Sequence, residues 1–203
     1  MRVLFAHGLW SSPGGSKPNY LKEVCKWDVF ACDMRRYGWS IKDQERAIVD
    51  SIEEEGPFEV LIGSSFGALA IANAASRMDG LDLRLVLLAP AFGVYDTLSG
   101  SVGPEEMDRW KENGHRTFQP PDWEDEVILE WSFMQDAIEM GWPEIRHRTV
   151  IIHGINDEVV PIDNSREVAS SNPEVELIEV VDGHRLADSL DIVPGAVEMC
   201  LSG

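Results

Sequence analysis

The stretch Phe58-Glu59-Val60-Leu61-Ile62-Gly63-Ser64-Ser65-Phe66-Gly67-Ala68-Leu69 constrains the fold more than any other part of this chain. Phe58, Val60, Leu61 and Ile62 read as a strand, and Ala68 to Ser76 reads as a helix. Between them stands Gly-x-Ser-x-Gly, from Gly63 to Gly67. A strand that passes into a helix within so few residues suits a parallel sheet, whose crossover helices pack back on its faces. The two glycines keep side chains out of a crowded strand–helix contact. The serine between them takes a strained backbone and presents its hydroxyl at the helix N-terminus, where backbone N–H groups favour developing negative charge. In this context Ser65 reads as a nucleophile. The structural alternative is an ordinary Gly/Ser turn of a parallel sheet.

The rest of the chain repeats the alternation. Val3 to Ala6, Asp28 to Cys32, Leu83 to Leu88, Thr149 to His153 and Val175 to Val181 read as further strands. Pro18 to Lys26, Ile41 to Glu55, Asp163 to Ser170 and Leu186 to Leu201 read as helices, the last broken near Pro194. Nearly continuous apolar strands separated by helices indicate an α/β fold with a parallel sheet covered on both faces. The alternation lapses between Pro90 and Arg148, which hold four of the seven tryptophans, Trp110, Trp123, Trp131 and Trp142. Pro104 to Lys111 and Trp123 to Met140 look helical there. A structureless loop of that length is improbable in a compact domain. The expectation is one domain over 1–203, with 93–148 a helical lid insertion whose tryptophans pack it onto the sheet.

Composition excludes some partners. With 17 Lys and Arg against 36 Asp and Glu, the formal net charge is −19. Such a chain repels phosphate-rich nucleic acid and anionic lipid. No apolar run approaches the ~20 residues of a membrane span. Cys25, Cys32 and Cys200 form no even disulfide framework. Met1-Arg2 leads straight into a strand, so no signal peptide is expected and the cytoplasm is the default location.

A serine hydroxyl needs a base within hydrogen-bond reach, and the base needs an orienting carboxylate. His184 follows one strand and Asp157 another, and both belong at the strand ends where Ser65 lies, the edge at which parallel sheets collect active sites. Asp182 and Glu158 are rival acids. Asp182 stands too near His184 in sequence to approach the ring from its far side, and Glu158 is less securely excluded. An oxyanion hole requires two converging N–H groups. Phe66, after the nucleophile, and Leu9, in the loop after the first strand, are the candidates. His7 in that loop reads mainly as a structural brace. The histidines lack metal-ligand spacing, and no nucleotide-binding glycine pattern occurs, so no metal or cofactor is expected.

Taken together, His7-Gly8-Leu9-Trp10-Ser11-Ser12-Pro13 with Ser16-Lys17, Ile62 to Gly67, Ala89-Pro90-Ala91, Asn156-Asp157-Glu158-Val159-Val160 and Gly183-His184 give the chain its resemblance. In that order they resemble the α/β-hydrolase superfamily, and within it the small bacterial YqiA-like esterase group. The resemblance implies Ser65 as nucleophile, Asp157 as acid, His184 as base and no cofactor. It implies a six-stranded, mainly parallel sheet of order 2-1-3-4-5-6 with helices on both faces. Arg185, after His184, departs from the usual small or apolar residue and bears on pocket charge.

The functional expectation is a serine hydrolase acting on a small-molecule carboxylic ester or thioester. The same residues also serve amidases, C–C hydrolases and acyltransferases, and a noncatalytic or partner-binding protein on this scaffold is the other class. The aromatic insertion points to an apolar acyl or aryl group. Arg109, Arg116 and His115 are the cations that could admit a single carboxylate locally. Neither the oligomeric state nor the natural substrate follows from the sequence.

Overall fold

The computed structural model describes residues 1–121 and 123–202. Its centre is a six-stranded sheet of β1 (Arg2–Ala6), β2 (Asp28–Ala31), β3 (Val60–Ser64), β4 (Leu85–Leu88), β7 (Thr149–Gly154) and β8 (Val175–Val180). The order is β2-β1-β3-β4-β7-β8, and every pairing is parallel. It differs from the expected 2-1-3-4-5-6 in labels alone, because β5 (His115–Phe118) and β6 (Val127–Glu130) pair with each other outside this sheet.

Alternation along the strands divides the core in two. Leu4, Ala6, Leu61, Leu85, Leu87 and Ile151 face one side, in a cluster with residues of α2 (Ile41–Glu55), α3 (Phe66–Ser76) and the segment after β4. Val3, Phe5, Val60, Ile62, Val86, Leu88, Val150 and Ile152 face the other, with Leu21 of α1 (Ser16–Glu23) and Val193, Ala196, Val197 and Cys200 of α8 (Val193–Ser202). Burial on both faces is why these strands read as continuous apolar runs. The α2 helix begins where expected because Ser40 and Asp43 form a reciprocal capping box. The α3 helix is buried over Phe66 to Ala75, and its alanines let it lie close to the sheet.

Two readings need correction. Trp123 to Met140 is not one helix, and the insertion is not purely helical. Besides α4 (Val94–Val102), α5 (Pro104–Asn113) and α6 (Ser132–Met140), it contains the antiparallel β5–β6 pair. Val127 and Leu129 are buried while Ile128 and Glu130 are exposed, a two-residue period too short to stand out beside the helix after it. The Trp110 indole donates to the Leu129 carbonyl at 3.0 Å and ties α5 to the hairpin. At the C-terminus, Pro194 starts a helix rather than breaking one. It lies in the first turn of α8, where its missing N–H costs nothing. A short 3₁₀ turn, Leu190–Ile192, precedes it.

Gly67 shows how tightly α3 is held against the sheet. A methyl group there would sit 2.4 Å from the Ala6 carbonyl oxygen and 2.5 Å from that of His7. Both obstacles are backbone and cannot rotate away. Gly67→Ala is therefore expected to destabilise the fold by about 1–3 kcal/mol through overpacking, read as a lower urea midpoint at unchanged m-value. A midpoint equal to the parent's would show that β1 and α3 are not in rigid contact.

Candidate active site

Ser65 joins β3 to α3 at φ 55° and ψ −117°, a conformation disfavoured for any residue with a Cβ. Neighbouring backbone holds it there. Its N–H donates to the Leu88 carbonyl at 2.8 Å, and its own carbonyl accepts from the N–H groups of Ala68, Leu69 and Ala91 at 3.0, 3.1 and 3.1 Å. The strain thus sits in the residue whose side chain must project from the sheet.

The Ser65 Oγ lies 2.9 Å from His184 Nε2. His184 Nδ1 lies 2.8 Å from Asp157 Oδ2. The Asp157 side chain is fully buried and accepts four hydrogen bonds. Oδ1 takes the N–H groups of Val159 and Val160, each at 2.8 Å, while Oδ2 takes His184 and, at 3.0 Å, His153 Nε2. Burial alone would push this carboxyl up. The bonds from His153, His184, Val160 and Val159 outweigh it and hold the group well below the usual carboxylate range. Asp157 is therefore an acceptor only, so His184 carries its proton on Nδ1 and leaves Nε2 free to accept from Ser65.

The rival acids are engaged elsewhere. Asp182 accepts from the N–H groups of Gly183 and Asp188 and from the Ser189 hydroxyl, at 2.7, 2.9 and 2.9 Å. Glu158 accepts the backbone N–H of His184 at 3.1 Å, so it meets the main chain of that residue rather than its ring.

His153 belongs to the site although nothing in the sequence singles it out. It stands inside β7, where a histidine among apolar residues reads as core. Its ring is completely buried, with Nε2 facing both Asp157 Oδ2 and, at 3.1 Å, the Val160 carbonyl, and with Nδ1 2.7 Å from the Ser165 hydroxyl of α7 (Ile162–Ser171). Two acceptors at Nε2 favour the tautomer with its proton there, in which Nδ1 accepts from the Ser165 hydroxyl. The one available signal is its position at the end of β7, just ahead of the loop that carries Asp157.

The loop after β1 reaches Ser65. A methyl group on Gly8 would stand 3.4 Å from Ser65 Cβ and 4.0 Å from its Oγ. The N–H groups of Leu9 and Phe66 donate to no acceptor among the described residues. His7 is buried, which pushes its imidazole pKa down, and its Nδ1 contacts the Gly8 carbonyl at 2.9 Å, bracing the loop from within. Arg109 and Arg116 do not serve the site, because both pair with Glu106. The His115 ring contacts the Asn113 carbonyl.

Ser65 and His184 open on a cavity of about 880 Å³. Leu9 and Trp10 line it, as do Val94 and Leu98 of α4, Phe133 of α6, Pro121, Val159 and Val160. A second hollow of about 680 Å³ lies over α2 and the end of α3. It holds no nucleophile beside a base, and its Glu45 and Arg77 are paired. Among the described residues no cluster of His, Cys, Asp or Glu is suited to hold a metal ion, and no helix is long and apolar enough to cross a membrane.

Comparisons with known proteins agree on the fold. Residues 2–199 match the model of UPF0227, described as an uncharacterised protein family. No match was found among curated proteins. Among solved structures, mouse alpha/beta hydrolase domain-containing protein 10 superposes with a TM-score of 0.74 at 19% identity, over 98% of this chain and 87% of that one. Est1E from Butyrivibrio proteoclasticus gives 0.72 at 19% identity, over 98% and 85%. The esterase domain of a Rhodothermus marinus protein gives 0.63 at 14%, over 99% and 85%. At these identities the likeness establishes the α/β-hydrolase fold.

Proposed function

The chain belongs to the uncharacterised protein family UPF0227, and we propose that it is a serine hydrolase cleaving a carboxylic ester or thioester through an acyl-enzyme on Ser65. One observation carries the reading: a continuous hydrogen-bonded path from Ser65 Oγ through His184 to the ionised Asp157. His184 Nε2 accepts the hydroxyl proton as Ser65 Oγ attacks the carbonyl carbon. Asp157 stabilises the imidazolium that forms. The N–H groups of Leu9 and Phe66 receive the oxyanion, with the start of the α3 dipole behind them. His184 then protonates the departing alkoxide or thiolate. Water, deprotonated by the same Nε2, releases the acid and restores Ser65. The cycle needs no cofactor.

The apolar lining from α4, α6 and the loop at Val159-Val160 supports an apolar acyl or aryl group as the part of the substrate buried beside Ser65. It also supports reading the segment 93–148 as a lid, since α4 near its start and α6 near its end both line the cavity. The three cysteines are unpaired, which fits a reducing compartment such as the cytoplasm.

A fluorophosphonate probe followed by peptide mass mapping tests the proposal. The expected result is one adduct, on Ser65, together with hydrolysis of 4-nitrophenyl acetate or butyrate. An unlabelled protein that turns over none of a panel of esters, thioesters and amides would leave this fold as a binding scaffold.

A further inference from the structure

The cavity that holds Ser65 is also lined by Lys17 and Arg185. Arg185 is unusual among the arginines of this chain, and Lys17 is unusual among its lysines. Carboxylates outnumber cations 36 to 17, and ten of the twelve arginines form an ion pair with one of them. Of the other two, Arg35 lies over the rings of Trp39 and Trp123. Arg185 remains without a carboxylate among the described residues, although it adjoins His184. Lys17 forms no ion pair among the described residues, as is also true of Lys22, Lys26 and Lys111, but those three are exposed whereas Lys17 is half-buried.

The acids nearest this pair are occupied. Asp182 is filled by the backbone and hydroxyl donors of its own loop. Glu158, also in the cavity wall, accepts the His184 N–H. Both cations line the one cavity, where burial first and repulsion from the exposed Arg185 second act against the charge on Lys17, offset in part by Asp182. An arrangement with that cost, in a chain with so many acids to spare, is relieved by a negative charge arriving from outside.

We infer that Lys17 and Arg185 form an anion subsite within the active-site cavity and that the substrate is an ester or thioester bearing a carboxylate or phosphate. This rests on the hydrolase reading above and narrows its substrate class. The apolar lining takes the hydrocarbon part, while the two cations take the charged end. A single docked anion is a different demand from the polyanionic ligands that the net charge disfavours. It is met here by Lys17 and Arg185 in place of the arginines bound to Glu106.

The test uses four esters of similar size: 4-nitrophenyl butyrate as the neutral member, mono-4-nitrophenyl glutarate with a carboxylate on the acyl side, 4-butyryloxybenzoate with one on the leaving group, and 4-butyryloxyphenyl phosphate. At least one anionic ester should exceed the neutral one in kcat/KM, and which one identifies the side and the anion. In the Lys17→Gln/Arg185→Gln protein the ratio of anionic to neutral kcat/KM should fall by about tenfold or more, through KM, as expected for losing charge-assisted hydrogen bonds. Added salt should lower the same ratio in the parent, and Arg185→Lys should retain part of it. Calorimetric titration on a Ser65→Ala background reads binding without turnover and should show the same loss for the anionic ester. If every ratio and every relative affinity is unchanged in the double variant, the subsite does not exist. If the parent hydrolyses no ester yet binds an anionic one through these two side chains, the subsite stands and the hydrolase reading falls.

Discussion

Replacing Ser65 by alanine is expected to lower kcat for ester hydrolysis by about five to six orders of magnitude, the loss typical of removing the nucleophile from a serine–histidine pair. The fold should survive. What holds the turn is backbone: the Ser65 N–H to Leu88 and the Ser65 carbonyl to Ala68, Leu69 and Ala91. Alanine keeps all four bonds and bears the same strained φ, having the same Cβ. Thermal unfolding should therefore match the parent closely while turnover disappears, and covalent labelling by a fluorophosphonate should vanish with it. Ser64→Ala is the control, because Ser64 is buried as the last residue of β3 and its hydroxyl reaches neither His184 nor Asp157. More than a few per cent of activity left in Ser65→Ala, or a loss of that size in Ser64→Ala, would remove Ser65 from the nucleophile's role.

Much of this site is legible in the sequence because it is built from strand ends. A buried parallel strand announces itself by a run of apolar residues, and the residues just beyond that run must emerge at one edge of the sheet. Ser65, Asp157 and His184 each lie just beyond such a run, so their convergence can be expected from β3, β7 and β8 without any contact being known. The hairpin β5–β6 is not legible. His115 to Phe118 shows only a weak alternation, with no large apolar run, and Val127 to Glu130 abuts the helix from Ser132, so local pattern favours one helix where tertiary pairing makes a strand. His153 is hidden for a different reason. It is a core residue by burial, and only the positions of Asp157 and Ser165 in space give its two ring nitrogens separate partners. Lys17 and Arg185 are similar. Sequence shows two cations far apart in the chain, and the fold brings both to the lining of one cavity and shows which carboxylates have been taken by others.

Asp157→Asn should lower kcat by about 10⁴-fold, because of where protons must go. The native carboxylate receives four donors: the N–H groups of Val159 and Val160 on one oxygen, and His184 Nδ1 and His153 Nε2 on the other. An amide offers one oxygen. If that oxygen keeps the two backbone bonds, the new NH₂ faces two ring N–H groups. His184 then relieves the clash by moving its proton to Nε2, the nitrogen that must accept from Ser65, and the base is disabled with the geometry intact. His153 is a positioning residue in this scheme. His153→Gln should cost far less than Asp157→Asn, on the order of 10–100-fold, with kcat falling more than KM rises. The ionisation of Asp157 also fixes the sign of the pH effect on stability. Its folded pKa is depressed, so the stabilisation it contributes is complete above the unfolded value near ~4 and is lost progressively as pH falls from there toward the folded one. The parent's stability margin over Asp157→Asn should be flat across neutral pH and narrow only in strong acid, as measured by urea unfolding at stepped pH. Glu158→Gln supplies the decisive comparison. Its carboxylate meets only the backbone N–H of His184, which an amide oxygen can also accept, so activity should change little. A Glu158→Gln protein more impaired than Asp157→Asn would move the acid to the neighbouring residue.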